Sequence, residues 1–193
     1  MPTAVRLLGA ALLLGGALFV SGGCAAGRPA AVSSAPDAVP SGTRVIEGVP
    51  FLPQEEETCG PSSLAMLLRF HGKEATTREL VDETRTAGLR GTLITDLAAA
   101  ARRRGIEVEV ALLDVSGLRR RILAGEPVIL LVDLGTWVWS RPHYLIAYGV
   151  TEEGVVAHSG RTKAMVIPYA RLEAQWAKMG HLAVVPSRDA SRR

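Results

Sequence analysis

Cysteine and aromatic side chains are scarce in this 193-residue chain, which has two Cys and three each of Trp, Tyr and Phe. Two cysteines cannot build the disulfide framework of a small secreted scaffold. A charge excess is missing too. The formal net charge is +3, but residues 1–43 carry +1 of it and residues 188–193 carry +2, so residues 44–187 are neutral. A neutral body gathers no phosphate backbones, so the pI of about 9.2 gives no support to a nucleic-acid partner. The main apolar run, Leu7–Val20, has 14 residues, short of the roughly 20 that span a bilayer. No internal repeat is visible, which excludes a solenoid. The length suits one domain.

What is present begins with that apolar run. It follows Arg6 and contains only Leu, Ala, Phe, Val and Gly, the make-up of a signal-peptide core. The segment Val20-Ser21-Gly22-Gly23-Cys24-Ala25 follows it. Small residues leading into a cysteine resemble the lipobox of bacterial lipoproteins, with Ser21 where an aliphatic residue is usual. The resemblance implies a signal peptide at 1–23, lipidation of Cys24 and a membrane anchor in the cell envelope. Ala25 fits sorting to an outer membrane, on its periplasmic face. Cleavage by the ordinary signal peptidase is the alternative. Residues 24–43, rich in Ala, Pro, Ser and Gly, read as a flexible tether, and residues 187–193 as a basic tail.

If Cys24 is lipidated, Cys59 is the one thiol of an exported protein. An unpaired thiol in an oxidising compartment is a liability unless its chemistry is used. Cys59 is followed by Gly60 and Pro61, and proline is accepted in the first turn of a helix, where its missing N–H costs nothing. Leu64, Leu67, Leu68 and His71 then recur at helical spacing, with Gly72 as the stop. Cys59 therefore lies at a helix N-terminus, where free N–H groups and the macrodipole favour a thiolate, the nucleophile of acyl transfer. Gln54, five residues upstream, is a candidate amide donor to an oxyanion, or else a surface glutamine. The run Glu55-Glu56-Glu57 reads as a solvated face, with no metal site and no cofactor implied.

A nucleophilic cysteine needs a base that the fold brings to it. His71 ends the cysteine helix and His181 opens the last apolar segment, so neither is an obvious partner. His143 opens the β-prone run Tyr144–Val150, and Gly154–Gly160 is the return strand after a Thr151–Gly154 turn. Pairing about that turn brings His143 and Ser159 together. His158 alternates to the other face, as a structural residue. Trp137 and Trp139 precede His143 and are candidates to wall a substrate cleft, or to pack in the core.

Gln54, the run Cys59-Gly60-Pro61-Ser62-Ser63-Leu64-Ala65-Met66, and His143-Tyr144 opening a hairpin together resemble the papain-like cysteine peptidases of the bacteriocin-processing, double-glycine-leader type. The similarity spans about Val45 to Pro186 and is greatest to stand-alone lipoprotein members. It implies Gln54 as oxyanion donor, Cys59 as nucleophile and His143 as general base and acid. The family's third residue is usually Asp, about sixteen residues after the histidine; here Ser159 stands there as the candidate orienting group. A hydroxyl fixes the imidazole tautomer without stabilising its cation. The implied partner is a peptide or protein substrate, cut after small residues such as Gly-Gly. A catalytically silent domain that binds a peptide or envelope protein in the same cleft is the alternative.

Elsewhere, helices are expected at Thr76–Thr84 with Thr77 as cap, Leu93–Arg104, Val115–Ala124 and Tyr169–Lys178, and strands at Glu107–Leu112, Pro127–Asp133 and His181–Val185. The triplets Arg102–Arg104 and Arg119–Arg121 read as solvated helix surface. Helices first and an antiparallel sheet mostly afterwards give an α+β class for residues 44–186.

Overall fold

The computed structural model describes residues 41–86, 88, 91–136 and 138–187. The signal segment 1–23, Cys24, most of the tether, Trp137 and the tail from 188 lie outside the described residues. Seven strands form one antiparallel sheet: β1 (Arg44–Val45), β2 (Val108–Leu112), β3 (Val128–Asp133), β4 (Pro142–Val150), β5 (Gly154–Ser159), β6 (Thr162–Pro168) and β7 (Leu182–Pro186). Their order is β2-β7-β3-β4-β5-β6, and β1 pairs with the end of β4 through Arg44 opposite Val150 and Val45 opposite Gly149.

Among the described residues five α-helices cover the sheet: α1 (Cys59–Phe70), α2 (Thr77–Thr84), α3 (Ile94–Arg103), α4 (Val115–Leu123) and α5 (Tyr169–Trp176). Alternation along β3 sets the two sides. Ile129 and Leu131 join one cluster with Leu64, Leu67 and Leu68 of α1, Leu80 of α2 and Leu97 of α3. Val128, Leu130 and Val132 join the other with Leu118 and Ile122 of α4 and Leu172 and Trp176 of α5. The α+β class holds, and the sheet is covered on both faces: the N-terminal helices take one and α4 with α5 the other.

Local chemistry sets the helix ends. α1 closes as the His71 N–H reaches the carbonyls of Leu67 and Leu68, and Gly72 turns the chain out at φ +72°. The cap of α2 is Thr76 and not Thr77: its hydroxyl accepts from the Glu79 N–H, and the Glu79 carboxylate accepts from the Thr76 N–H. The arginine triplets depart from a solvated surface only in part, since Arg102, Arg103 and Arg120 are exposed as expected. Arg119 is buried, donating to the Tyr169 hydroxyl and, at 2.7 Å, to the Gly42 carbonyl. Arg121 donates to the Pro186 carbonyl at 2.9 Å and pairs with Glu126 at 3.0 Å, and Arg103 and Arg104 share Glu83. Guanidinium is weakly hydrated and its fork serves carbonyls and carboxylates alike, so these side chains staple elements together. Strand β6 has no clear signature, because as an edge it buries only Ile167 and takes Ala164 through φ +53°.

Candidate active site

The cysteine helix begins where the sequence places it, and its first residue, Cys59, is buried at 7% exposure. Gly60 explains how the strand carrying His143 is held to this end. A methyl group at Gly60 would sit 3.1 Å from Tyr144 Cδ2 and 3.3 Å from Leu97 Cδ1. The Tyr144 ring therefore lies on the first turn of α1, and its hydroxyl donates to the Thr92 carbonyl at 3.0 Å. Burial pushes that hydroxyl above the ordinary tyrosine range, and Cys59 and Asp96 push it further. The close approach of Tyr144 to Gly60 places the start of β4 beside the first turn of α1. Replacing Gly60 by Ala is expected to lower stability by about 1–2 kcal/mol through overpacking against this ring, read as a lower urea midpoint with an unchanged slope.

His143, the second residue of β4, lies opposite Val132 and is 9% exposed. Its Nε2 is 3.1 Å from Ser159 Oγ, the pairing expected from the hairpin. The register explains how. Ile146 faces His158, and a bulge between Ala147 and Gly149 shifts the ladder, so Ser159 falls on the face of the sheet that His143 shares. Burial, and then the Arg141 cation, lower the His143 pKa from 6.5 to about 4, so the imidazole is neutral near pH 7. A thiolate–imidazolium pair formed in advance therefore gains nothing from Ser159.

Gln54 ties the two halves together. It is 4% exposed, not a surface residue. Its N–H donates to the Gly160 carbonyl at 2.9 Å, and its Oε1 accepts from the Gly160 N–H at 2.6 Å. Since that N–H can only donate, the amide oxygen must face it, and the NH₂ faces α1. There Nε2 donates to Ser63 Oγ at 2.7 Å and to the Cys59 carbonyl at 3.3 Å. One side chain thus joins the start of the cysteine helix to the corner after Ser159.

Gln54, His143, Ser159 and Gly160 line a cleft of about 320 Å³, as do Leu134 and Arg141. Trp139 does not wall it, being 73% exposed beside Val138. Asp133 accounts for this by pinching the base of the loop, its Oδ1 accepting from the Gly135 and Arg141 N–H groups at 2.7 Å each. The Arg141 N–H bond comes first, followed by those from Gly135 and Ser140, in holding this carboxyl below the usual range. The tip is left facing outward. The other histidines have separate tasks. His158 accepts from the Ala164 N–H at Nδ1 and meets the Val49 carbonyl through Nε2, His181 pairs with Glu173, and His71 caps α1. Sequence reasoning missed Tyr144, Ser63 and Asp133 as supports. Ser63 had a usable signal, lying one turn after Cys59 on α1.

Among the described residues no group of three or more His, Cys, Asp or Glu could hold a metal ion. The chemistry available is a thiol, a neutral imidazole, an amide and helix N–H groups, the parts of acyl transfer. Known structures share the fold. A protein from Bacillus anthracis described as a C39-like peptidase is 18% identical, with TM-score 0.64 over 78% of this chain and 100% of that one. The peptidase domain of Streptococcus ComA, a bi-functional ABC transporter involved in quorum sensing, is 21% identical, with TM-score 0.58 over 72% of this chain and 99% of that one. A double glycine motif protease from an AMS/PCAT transporter, solved with its leader peptide, is 18% identical, with TM-score 0.58 over 75% of this chain and 96% of that one. No curated protein sequence matches the chain. The peptidase C39 family model matches residues 50–189, which takes in Gln54, Cys59, His143 and Ser159 on the corner just described, and the chain belongs to this family of cysteine peptidases.

Proposed function

We propose that the protein hydrolyses peptide bonds in the bacterial envelope, anchored through Cys24, with Cys59 and His143 as its reacting groups. The observation that carries this reading is the Gln54 bridge, which joins the Cys59 turn of α1 to the Ser159–Gly160 corner beside His143. Ser159 engages Nε2 of His143, so Nδ1 is the nitrogen left for proton transfer. Nδ1 takes the thiol proton as the sulfur bonds to the peptide carbonyl carbon. The oxyanion is held by the Cys59 N–H and by Gln54 Nε2, which exchanges its long bond to the Cys59 carbonyl for the new one. The imidazolium gives its proton to the leaving amine as the C–N bond breaks. Water then attacks the thioester, one proton passing through His143 back to the sulfur, and the acid product leaves.

A substrate cut after small residues such as Gly-Gly is supported by the family and by the relative solved with a leader peptide. The envelope anchor rests on the apolar run and on Cys24. The test compares the termini of envelope proteins in cells carrying the wild-type chain or Cys59→Ala. New N-termini that vanish with Cys59→Ala are expected, and identical termini would overturn the reading. One observation favours a second reading, a silent domain that binds peptide: Ser159 supplies no negative charge to a His143 already hard to protonate. Equal peptide capture by the wild-type chain and Cys59→Ala, with no cleavage by either, would establish it.

A further inference from the structure

The cleft contains a cation that neither the fold nor the proposed chemistry accounts for. Three charged side chains line it: Glu55, Arg141 and Arg161. Two of them answer each other, since Arg161 grips both carboxylate oxygens of Glu55 at 2.8 and 2.9 Å. Arg141 has no such partner. Among the described residues no carboxylate lies within ion-pair distance of its guanidinium. Asp133, the nearest acid in sequence, is occupied by the backbone of the same loop.

The root of Arg141 is nevertheless fixed. Its N–H donates to Asp133 Oδ1 at 2.7 Å and its carbonyl accepts from the Leu134 N–H at 3.0 Å. Lys178 holds the other side of the loop through the Gly135 carbonyl at 3.2 Å. An exposed guanidinium on a fixed root at the cleft, with no carboxylate partner among the described residues, is free to meet an anion supplied from outside. The position matters as well. Arg141 is two residues from His143 and close enough to bear on its protonation. His143 delivers its proton to the leaving amine, so Arg141 lies on the leaving-group side of the scissile bond.

We infer that Arg141 reads a carboxylate on the leaving-group half of the peptide substrate and so sets which peptides the cleft accepts. This rests on the peptidase reading. The carboxylate comes from an Asp or Glu side chain just after the cut or from a free C-terminus close to it, since a guanidinium serves both. Two random decapeptide libraries, one with free and one with amidated C-termini, separate the sources when digested by the wild-type chain, Arg141→Gln and Arg141→Lys and analysed by mass spectrometry. The wild-type chain is expected to favour acid-bearing sites by about fivefold, as a single exposed ion pair allows. Arg141→Gln is expected to lose that preference and Arg141→Lys to keep part of it. Enrichment of Asp or Glu in both libraries identifies the side chain; a preference confined to the free-ended library, at cuts near its end, identifies the terminus. Equal site preferences in all three proteins would overturn the inference. If the wild-type chain cuts neither library, the peptidase reading fails, and retention on immobilised Cys59→Ala decides Arg141 separately. Acidic peptides held by Cys59→Ala but released from Cys59→Ala with Arg141→Gln support the anion site, and equal retention refutes it.

Discussion

Replacing Ser159 by Asp is expected to raise peptide turnover about 10- to 100-fold and to move protonation of His143 upward. In the wild-type chain Ser159 Oγ is 3.1 Å from Nε2, where a hydroxyl can orient the ring but cannot stabilise the imidazolium of the proposed mechanism. Burial then acts unopposed, with Arg141 adding to it, and the pKa falls to about 4. A carboxylate at this distance favours the cation and lifts the pKa by about 1–3 units, towards the range where a base serves best near pH 7. In serine proteases the loss of the equivalent charge reduces kcat by about 10⁴; a thiol is the better nucleophile, so a smaller gain is expected here. The new acid lies in a site where Ser159 is 8% exposed, so some stability is lost, offset by its bonds to His143. The check is kcat/KM against pH together with the His143 ring resonances. Its acid limb is expected to move up from about 4. A rate and a titration both unchanged from wild type would mean that residue 159 does not govern His143.

Removing the imidazole has the opposite and larger consequence: His143→Ala is expected to lose about 10³- to 10⁴-fold in turnover. In the proposed mechanism Ser159 brings no carboxylate to the ring, so His143 alone relays the proton from sulfur to leaving amine, while the Cys59 N–H and Gln54 still hold the oxyanion. Labelling by iodoacetamide near pH 6 separates this from loss of fold. Cys59 is expected to react more slowly in His143→Ala than in wild type, and equal rates would dismiss His143 as its base. Stability carries a second signature. In the unfolded chain His143 binds a proton near 6.5, and in the folded chain only near 4. Unfolding therefore takes up a proton between those values, and wild-type stability falls as pH drops from about 6.5 to about 4. His143→Ala removes that part of the acid sensitivity. A remainder from His158, also lowered by burial, persists.

The cysteine helix was legible because Pro61 and Gly72 mark its ends and its leucines keep one period. The His143 hairpin was legible because apolar runs flank a polar turn. From these, and from the resemblance they carried, came the positions of Gln54, Cys59, His143 and Ser159. Where the reading failed, residues acted over long separations. Arg119 is surface-like by type, yet its guanidinium reaches Gly42 and Tyr169, and no local pattern announces that. Gln54 meets Gly160 across the whole domain. Nearness to His143 makes Trp139 a candidate for the cleft or for the core, yet it is exposed, and Arg141, its backbone held by Asp133, lines the cleft instead. Spacing along a strand reports which face a side chain takes, and it says nothing of how a loop's backbone bonds turn its tip.

Strand β1 has a mechanical consequence. It joins β4 at Gly149 and Val150, about 20 Å from His143 at the usual rise per strand residue. The same stretch is fastened to α4 through Arg44, which grips the Leu123 carbonyl at 2.6 Å, and through Arg119 on Gly42. A pull on the chain ahead of residue 41 is therefore borne by α4 and the far end of β4. If the proposed anchor holds the chain from that side, tension would loosen those fastenings first and leave the Cys59, His143 and Ser159 corner slack.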